Sequence, residues 1–264
     1  MKIGVCADWR NASQLEAIRA SGADYVELNF TSFSGATAEE VAALGEKLKA
    51  NGTPCLAYNC MLPGDLRVAG KTRDFARADA YLAHQIRLLS VLDGRIVVFG
   101  SGRSRSCGEG DTLESVRKDL AVFLHDHVAP AFALGGYTCA MEPLSECDVI
   151  HTVDDGMQLM QAADRREIGL LIDFYHTGVN GEDMTDLTAY GRALRHTHIA
   201  NPAGRSVPAR GDGVDYTSIF RALKAAGYDG GISIEGSIPK DADYAALIRE
   251  GVACLRAAMA DAGV

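Results

Sequence analysis

No two of the seven cysteines (Cys6, Cys55, Cys60, Cys107, Cys139, Cys147 and Cys254) form a C-x-x-C pair, and their number is odd. Several sit inside apolar runs, such as Cys6 in IGVCA and Cys139 in YTCAME. The pattern excludes a disulfide framework or a thiolate zinc site and predicts buried free thiols in a reducing compartment. Basic charge is also short: 26 Lys and Arg stand against 35 Asp and Glu, a formal net charge of −9. Binding along a phosphate backbone draws on a surplus of cations, so nucleic acid is not an expected partner. No apolar run approaches the length of a membrane span. The opening MKIGVCADWRN meets Asp8 too soon to hold a signal-peptide core, so a cytoplasmic protein with no membrane partner is expected. Also missing is a glycine-rich loop after the first apolar run, which passes into Ala7-Asp8-Trp9-Arg10. A doubly wound nucleotide-binding sheet would normally carry one there.

What is present is a repeated alternation. Eight short apolar runs read as strands: IGVCA from Ile3, YVELN from Tyr25, TPCLAYN from Thr53, RIVVFG from Arg95, YTCAME from Tyr137, GLLID from Gly169, HTHIA from His196 and GISIE from Gly231. Most are apolar nearly throughout, as parallel strands covered on both faces should be. Helix signals lie between them. Thr37 to Glu40 forms a capping box opening a helix that closes at Asn51-Gly52. Ala76 to Leu92 carries apolar residues near a 3.6 period, Thr152 and Asp215 read as further N-caps, and Asp241 is expected to start the last helix. Eight β-then-α units in about 250 residues match one (β/α)8 barrel, with residues 1–264 as a single domain.

In such a barrel the chemistry sits at the C-terminal ends of the strands. Those ends read Asp8, Glu27, Asn59, Gly100, Glu142, Asp173, His198 and Glu235. Taken singly, a strand-terminal acid is as well explained as a helix cap, and a lone histidine as a bonded core residue. The last four, however, deliver three carboxylates and an imidazole to one rim. Burying three acids together is costly without a compensating cation or protons, and a divalent metal is the simplest compensation.

The motifs around these residues are more specific: Glu142-Pro143-Leu144 after strand five, Asp173-x-x-His176 after strand six and His196-x-His198 in strand seven. They continue with Gly211-Asp212-Gly213-Val214-Asp215-Tyr216 and the run from Gly227 to Glu235. In this order the chain resembles, over its whole length, the xylose-isomerase-like barrel superfamily. That superfamily includes sugar isomerases, ketose 3-epimerases, hydroxypyruvate isomerases and endonuclease IV. The resemblance implies Glu142, Asp173, His198 and Glu235 as metal ligands. It also implies Glu142 and Glu235 as the catalytic pair, exchanging a proton with a small sugar or sugar phosphate through a metal-stabilised enediolate. Three carboxylates and one imidazole suit Mn²⁺ first, with Mg²⁺, Co²⁺ and Zn²⁺ as alternatives.

By the same resemblance His176, Arg205 and Asp148 contact substrate, although the spacing to Arg205 departs by one residue and leaves Arg210 as its rival. Asn59 and the lone Trp9 are placed at the substrate from their strand-end positions, Trp9 as a wall for the sugar's apolar face. His196 is expected on the side of its strand opposite His198, in a packing or supporting role. The run Gly100-Ser101-Gly102-Arg103-Ser104-Arg105 fails the G-x-G-x-x-G pattern and reads as a tight turn with solvated arginines. The rivals are a metal-dependent lyase or dehydratase on a hydroxyketo acid, an endonuclease IV-like nuclease and a barrel that binds without turnover. The nuclease would need histidines where Asn59 and Gly100 stand, and the acidic balance opposes it. Homo-oligomerisation stays open, since no stretch identifies a surface for it.

Overall fold

The apolar runs pair side by side, all parallel and in chain order, and the eighth returns to the first to close a barrel. The computed structural model describes residues 1–264. The strands are β1 Lys2–Ala7, β2 Tyr25–Asn29, β3 Cys55–Asn59, β4 Ile96–Phe99, β5 Thr138–Met141, β6 Ile168–Asp173, β7 Leu194–Ile199 and β8 Gly231–Ile234. Helices α1 Ala12–Ser21, α2 Ala38–Asn51, α3 Phe75–Leu89 and the short α4 Gly102–Arg105 follow the first four strands. Next come α5 Leu113–Val122, passing through a π-helical turn at Phe123–Val128 into α6 Ala129–Gly135. The remaining helices are α7 Val153–Ala163, α8 Phe174–Asn180, α9 Tyr216–Ala225 and α10 Tyr244–Asp261. The molecule is a (β/α)8 barrel.

Local signals set the helix ends. Thr37 and Thr112 each exchange two hydrogen bonds with the residue three ahead, as does Thr152 with Asp155, so orphan amides of the first turn are satisfied. Two expected boundaries move. The last helix is capped by Asp243, whose side chain accepts the Ala246 amide, because residues 239–242 close a turn through Ala242 N–H to the Pro239 carbonyl. Helix α3 stops at Leu89, where the Leu92 amide turns back to the Leu89 carbonyl.

One apolar core fills the layer between strands and helices, while the barrel interior is split. On the β4–β6 side Val98, Ala140 and Leu171 pack as a small apolar cluster. On the opposite side the interior is polar, with Glu27, His196, His198 and Ser233 all buried. Tyr25 seals the floor there. Its ring lies where any Cβ at Gly4 would come within 2.2 Å, and its hydroxyl meets Ser233 Oγ at 2.8 Å. Glycine at position 4 is thus required by close approach. No helix is long and apolar enough to cross a membrane. All seven cysteines are free, but Cys60, expected to be buried, is exposed and lines a cavity at the barrel mouth.

Candidate active site

Strand parity aims the site. Side chains alternate along a strand, so residues two apart at a strand end share the barrel interior. Glu142 and Glu235 leave β5 and β8, Asp173 ends β6 and His198 lies near the end of β7. Their ligand-type atoms all lie within 4.8 Å of one another. His198 Nδ1 is 3.2 Å from Glu142 Oε1 and 3.4 Å from Glu235 Oε2. Glu142 and Glu235 line a cavity of about 780 Å³ at the C-terminal end of the barrel, with Asp173 and His198 buried behind them.

The same parity corrects one expectation. His196 and His198 do not point to opposite sides, because residues at i and i+2 share a face. Both rings turn inward and both reach Glu27. Glu27 is fully buried, and sequence reasoning passed over it as a mere strand end. Its Oε1 accepts from His198 Nε2 at 2.9 Å; its Oε2 accepts from His196 Nε2 and from Ser233 Oγ, each at 2.6 Å. Burial alone would raise the Glu27 pKa, but the flanking imidazoles of His198 and His196 outweigh it and hold the carboxyl far below the usual range. Committing the His198 Nε2–H to Glu27 leaves Nδ1 as the atom facing the three carboxylates.

Asp173 divides its two oxygens. Oδ1 accepts the Tyr175 amide at 2.8 Å and caps α8, while Oδ2 is buried with no hydrogen-bond partner. Burial first, then the charge of Glu142, push the Asp173 pKa up to about 7. Burial opposes protonation of His198, but the carboxylates of Glu27 and Glu235 outweigh it and hold its pKa well above the ordinary value. Glu235 is held below the usual range because His198 and Arg205 overcome its burial.

Arg205, and not Arg210, reaches this centre. Its guanidinium pairs with Glu235 Oε2, lies 3.7 Å from Asp173 Oδ2 and sits 4.6 Å over the Tyr175 ring. Arg205 itself has a left-handed φ of 54°; Arg210 is exposed beside Cys254 on the outside. His176 accepts the Ser145 amide at Nδ1, at 3.1 Å, so its Nε2 carries the hydrogen. That Nε2 is 3.6 Å from Asp173 Oδ2 and has no other partner.

Asn59 donates to Glu235 Oε1 at 3.4 Å, and Asp148 lies on the exposed rim of the same cavity. Trp9 stands apart. Its ring stacks on Phe33 at 4.9 Å and does not line the cavity. Arg105, expected to be solvated, is fully buried and donates to the carbonyls of Glu142 and Gly100, fixing the backbone under the Glu142 side chain. Arg103 is exposed on the cavity wall.

This arrangement has relatives. Residues 15–258 match the family model described as xylose isomerase-like TIM barrel. A probable ketose 3-epimerase of Synechocystis is 28% identical over 85% of this chain and 77% of that protein. The 3-dehydro-D-guloside 4-epimerase of Escherichia coli is 29% identical over 46% of each. Among solved structures, an E. coli 3-keto-D-glucoside 4-epimerase superposes with a TM-score of 0.80 at 22% identity, covering 97% of this chain and 99% of that one. An L-ribulose 3-epimerase superposes with a TM-score of 0.84 at 19% identity, covering 99% and 95%. The chain belongs to the xylose isomerase-like TIM barrel family.

Proposed function

We propose that the protein is a divalent-metal-dependent epimerase or isomerase of a sugar, working by proton transfer between two glutamates and a carbon next to a carbonyl. The observation that carries this reading is the convergence of Glu142 and Glu235, which line the cavity, with the buried Asp173 and His198 in one cluster. The residues present fit a cation. Asp173 Oδ2 is buried without a partner, crowding of the buried acids raises the Asp173 pKa, and Glu27 directs the His198 Nδ1 at the carboxylates. The oxygen-rich donor set favours Mn²⁺, with Mg²⁺, Co²⁺ or Zn²⁺ able to enter. A bound divalent ion supplies Lewis acidity that makes the adjacent C–H of a hydroxyketone acidic.

The protein's own groups do the rest. Glu142 and Glu235 come from β5 and β8 and so approach a substrate above the floor from different sides. One carboxylate takes the C–H proton and the other returns a proton from its own side, which inverts the carbon; return to the neighbouring carbon, with the hydroxyl proton passing to the former carbonyl oxygen, moves the carbonyl. His176 offers its Nε2–H, and Arg205 its guanidinium, to substrate oxygens. Incubating the Mn²⁺-loaded protein with ketoses and keto sugars in D₂O tests the reading. Deuterium at a carbon adjacent to a carbonyl is expected, and its absence with every such sugar would contradict it.

Metal affinity should depend on pH with a defined sign. His198, with its raised pKa, must release the Nδ1 proton to bind, and Asp173 must be ionised. The raised His198 pKa makes the apparent association constant fall as pH drops. Below about pH 7 the Asp173 proton is displaced as well, and the fall steepens. Titration calorimetry between pH 6 and 8 reads this directly, and a flat profile would disprove the ligand assignment. Glu27→Gln removes the charge that orients His198 and should weaken metal binding about 10- to 100-fold.

A further inference from the structure

A cavity of about 460 Å³ lies at the opposite end of the barrel from Glu142 and Glu235, where α7 ends, β6 begins and the chain enters β7. Its lining sets four arginines, Arg165, Arg166, Arg192 and Arg195, against one acid, Asp164, in a chain whose net charge is −9. Of the four, only Arg166 is paired with a carboxylate, Glu167 at 2.7 Å, and that arginine is exposed. Guanidinium stays protonated at any working pH. Three cations therefore gather in one concavity with no ion-pair partner, and a cleft lined by one sign of charge focuses its field on an incoming counter-ion.

Two of these three are held in place by neutral groups, which orient the guanidinium without cancelling its charge. Arg195 Nη1 donates to the Arg192 carbonyl at 2.8 Å, and its stem crosses Gly169, where a Cβ would fall 2.3 Å from Arg195 Cγ. Arg165 Nη2 donates to His125 Nε2 at 2.8 Å. That ring nitrogen is an acceptor because His125 Nδ1 faces the Ala163 carbonyl at 2.7 Å and must carry the hydrogen. Arg192 is exposed on the cavity wall. The remaining lining is largely apolar, with Met157, Met160 and Ile168 among it. The volume falls in the range of small-molecule sites, roughly 300–1,000 Å³, so a bare ion would leave most of it unfilled. A guanidinium fork meets two oxygens at once. Three forks exceed what the two oxygens of one carboxylate can serve and suit the three terminal oxygens of a phosphate monoester.

We infer that this cavity binds a phosphate monoester, its phosphate taken by Arg165, Arg192 and Arg195 and its apolar or aromatic body lying on Met157, Met160 and Ile168. The site is separate from the reacting centre, and the assignment stands whether or not the proton-transfer reading does.

Titration calorimetry with phenyl phosphate, benzoate and inorganic phosphate tests it, in about 0.1 M salt, where charges more than about 10 Å away are largely screened. Phenyl phosphate should bind at least about tenfold more tightly than either comparison, since benzoate lacks the third oxygen and inorganic phosphate lacks the ring that covers the apolar lining. Arg192→Glu should weaken phenyl phosphate binding at least about tenfold, and Arg165→Gln provides an independent variant with the same direction. Arg210→Glu changes the net charge as much as Arg192→Glu does, at an exposed position in a different cavity, and should leave binding within about twofold. No binding of phenyl phosphate, binding unchanged in both Arg192→Glu and Arg165→Gln, or an equal loss in Arg210→Glu overturns the site. Benzoate or inorganic phosphate binding as tightly as phenyl phosphate overturns the ligand class.

Discussion

Glu142→Gln and Glu235→Gln should each lower turnover by about 10³-fold, within the range expected for removing a positioned acid–base group, with the fold retained. Both variants keep an amide oxygen in place of the carboxylate but can no longer take up a proton. The two should differ in a diagnostic way. With one glutamate gone and Mn²⁺ supplied in saturating excess, the other still removes a proton from its own side, so slow solvent exchange should persist from one epimer while inversion stops. Proton NMR in D₂O, started separately from each epimer, separates exchange from inversion. Equal residual exchange from both epimers in both variants would mean that one residue serves both faces, and the assignment of one glutamate to each side would fail.

Gly100→Ala should cost about 100-fold in kcat/KM without unfolding the barrel. A Cβ at this position would fall 1.9 Å from Glu142 Oε2, far inside contact distance, so the carboxylate must swing away. The backbone beneath cannot yield easily, because the buried Arg105 holds the carbonyls of Gly100 and Glu142 together. Displacing a reacting group by about 1 Å is enough for a loss of this size. Gly35→Ala, at a position where a Cβ meets nothing within 4 Å, serves as the control. Comparable activity in Gly100→Ala and the control would show that Glu142 is not held where the account requires it.

The barrel was legible because its signals are local. Each strand is a compact apolar run, and Thr37, Thr152 and Asp215 cap their helices through bonds only three residues long. The four clustered residues were legible because an acid or imidazole that ends an apolar strand has to point into the mouth. What the sequence concealed depends on contacts across the barrel. Glu27 meets His198 across 171 positions and Ser233 across 206, and nothing in YVELN signals either partner. Strand parity alone would have placed His196 beside His198, since the two are separated by one residue. Arg105 looked solvated because its partners are main-chain carbonyls, which leave no trace in composition. Trp9 sits two positions beyond the end of β1, where strand parity no longer aims it, and it stacks on Phe33.

The central claim is that Glu142, Asp173, His198 and Glu235 hold one cation, and metal content after purification without chelator tests it most directly. The account predicts near one divalent ion per chain in the unaltered protein, or one taken up on adding Mn²⁺, and most of it lost in Glu142→Gln. No ion bound and none taken up from Mn²⁺, Mg²⁺, Co²⁺ or Zn²⁺, or equal binding by the variant, would contradict it.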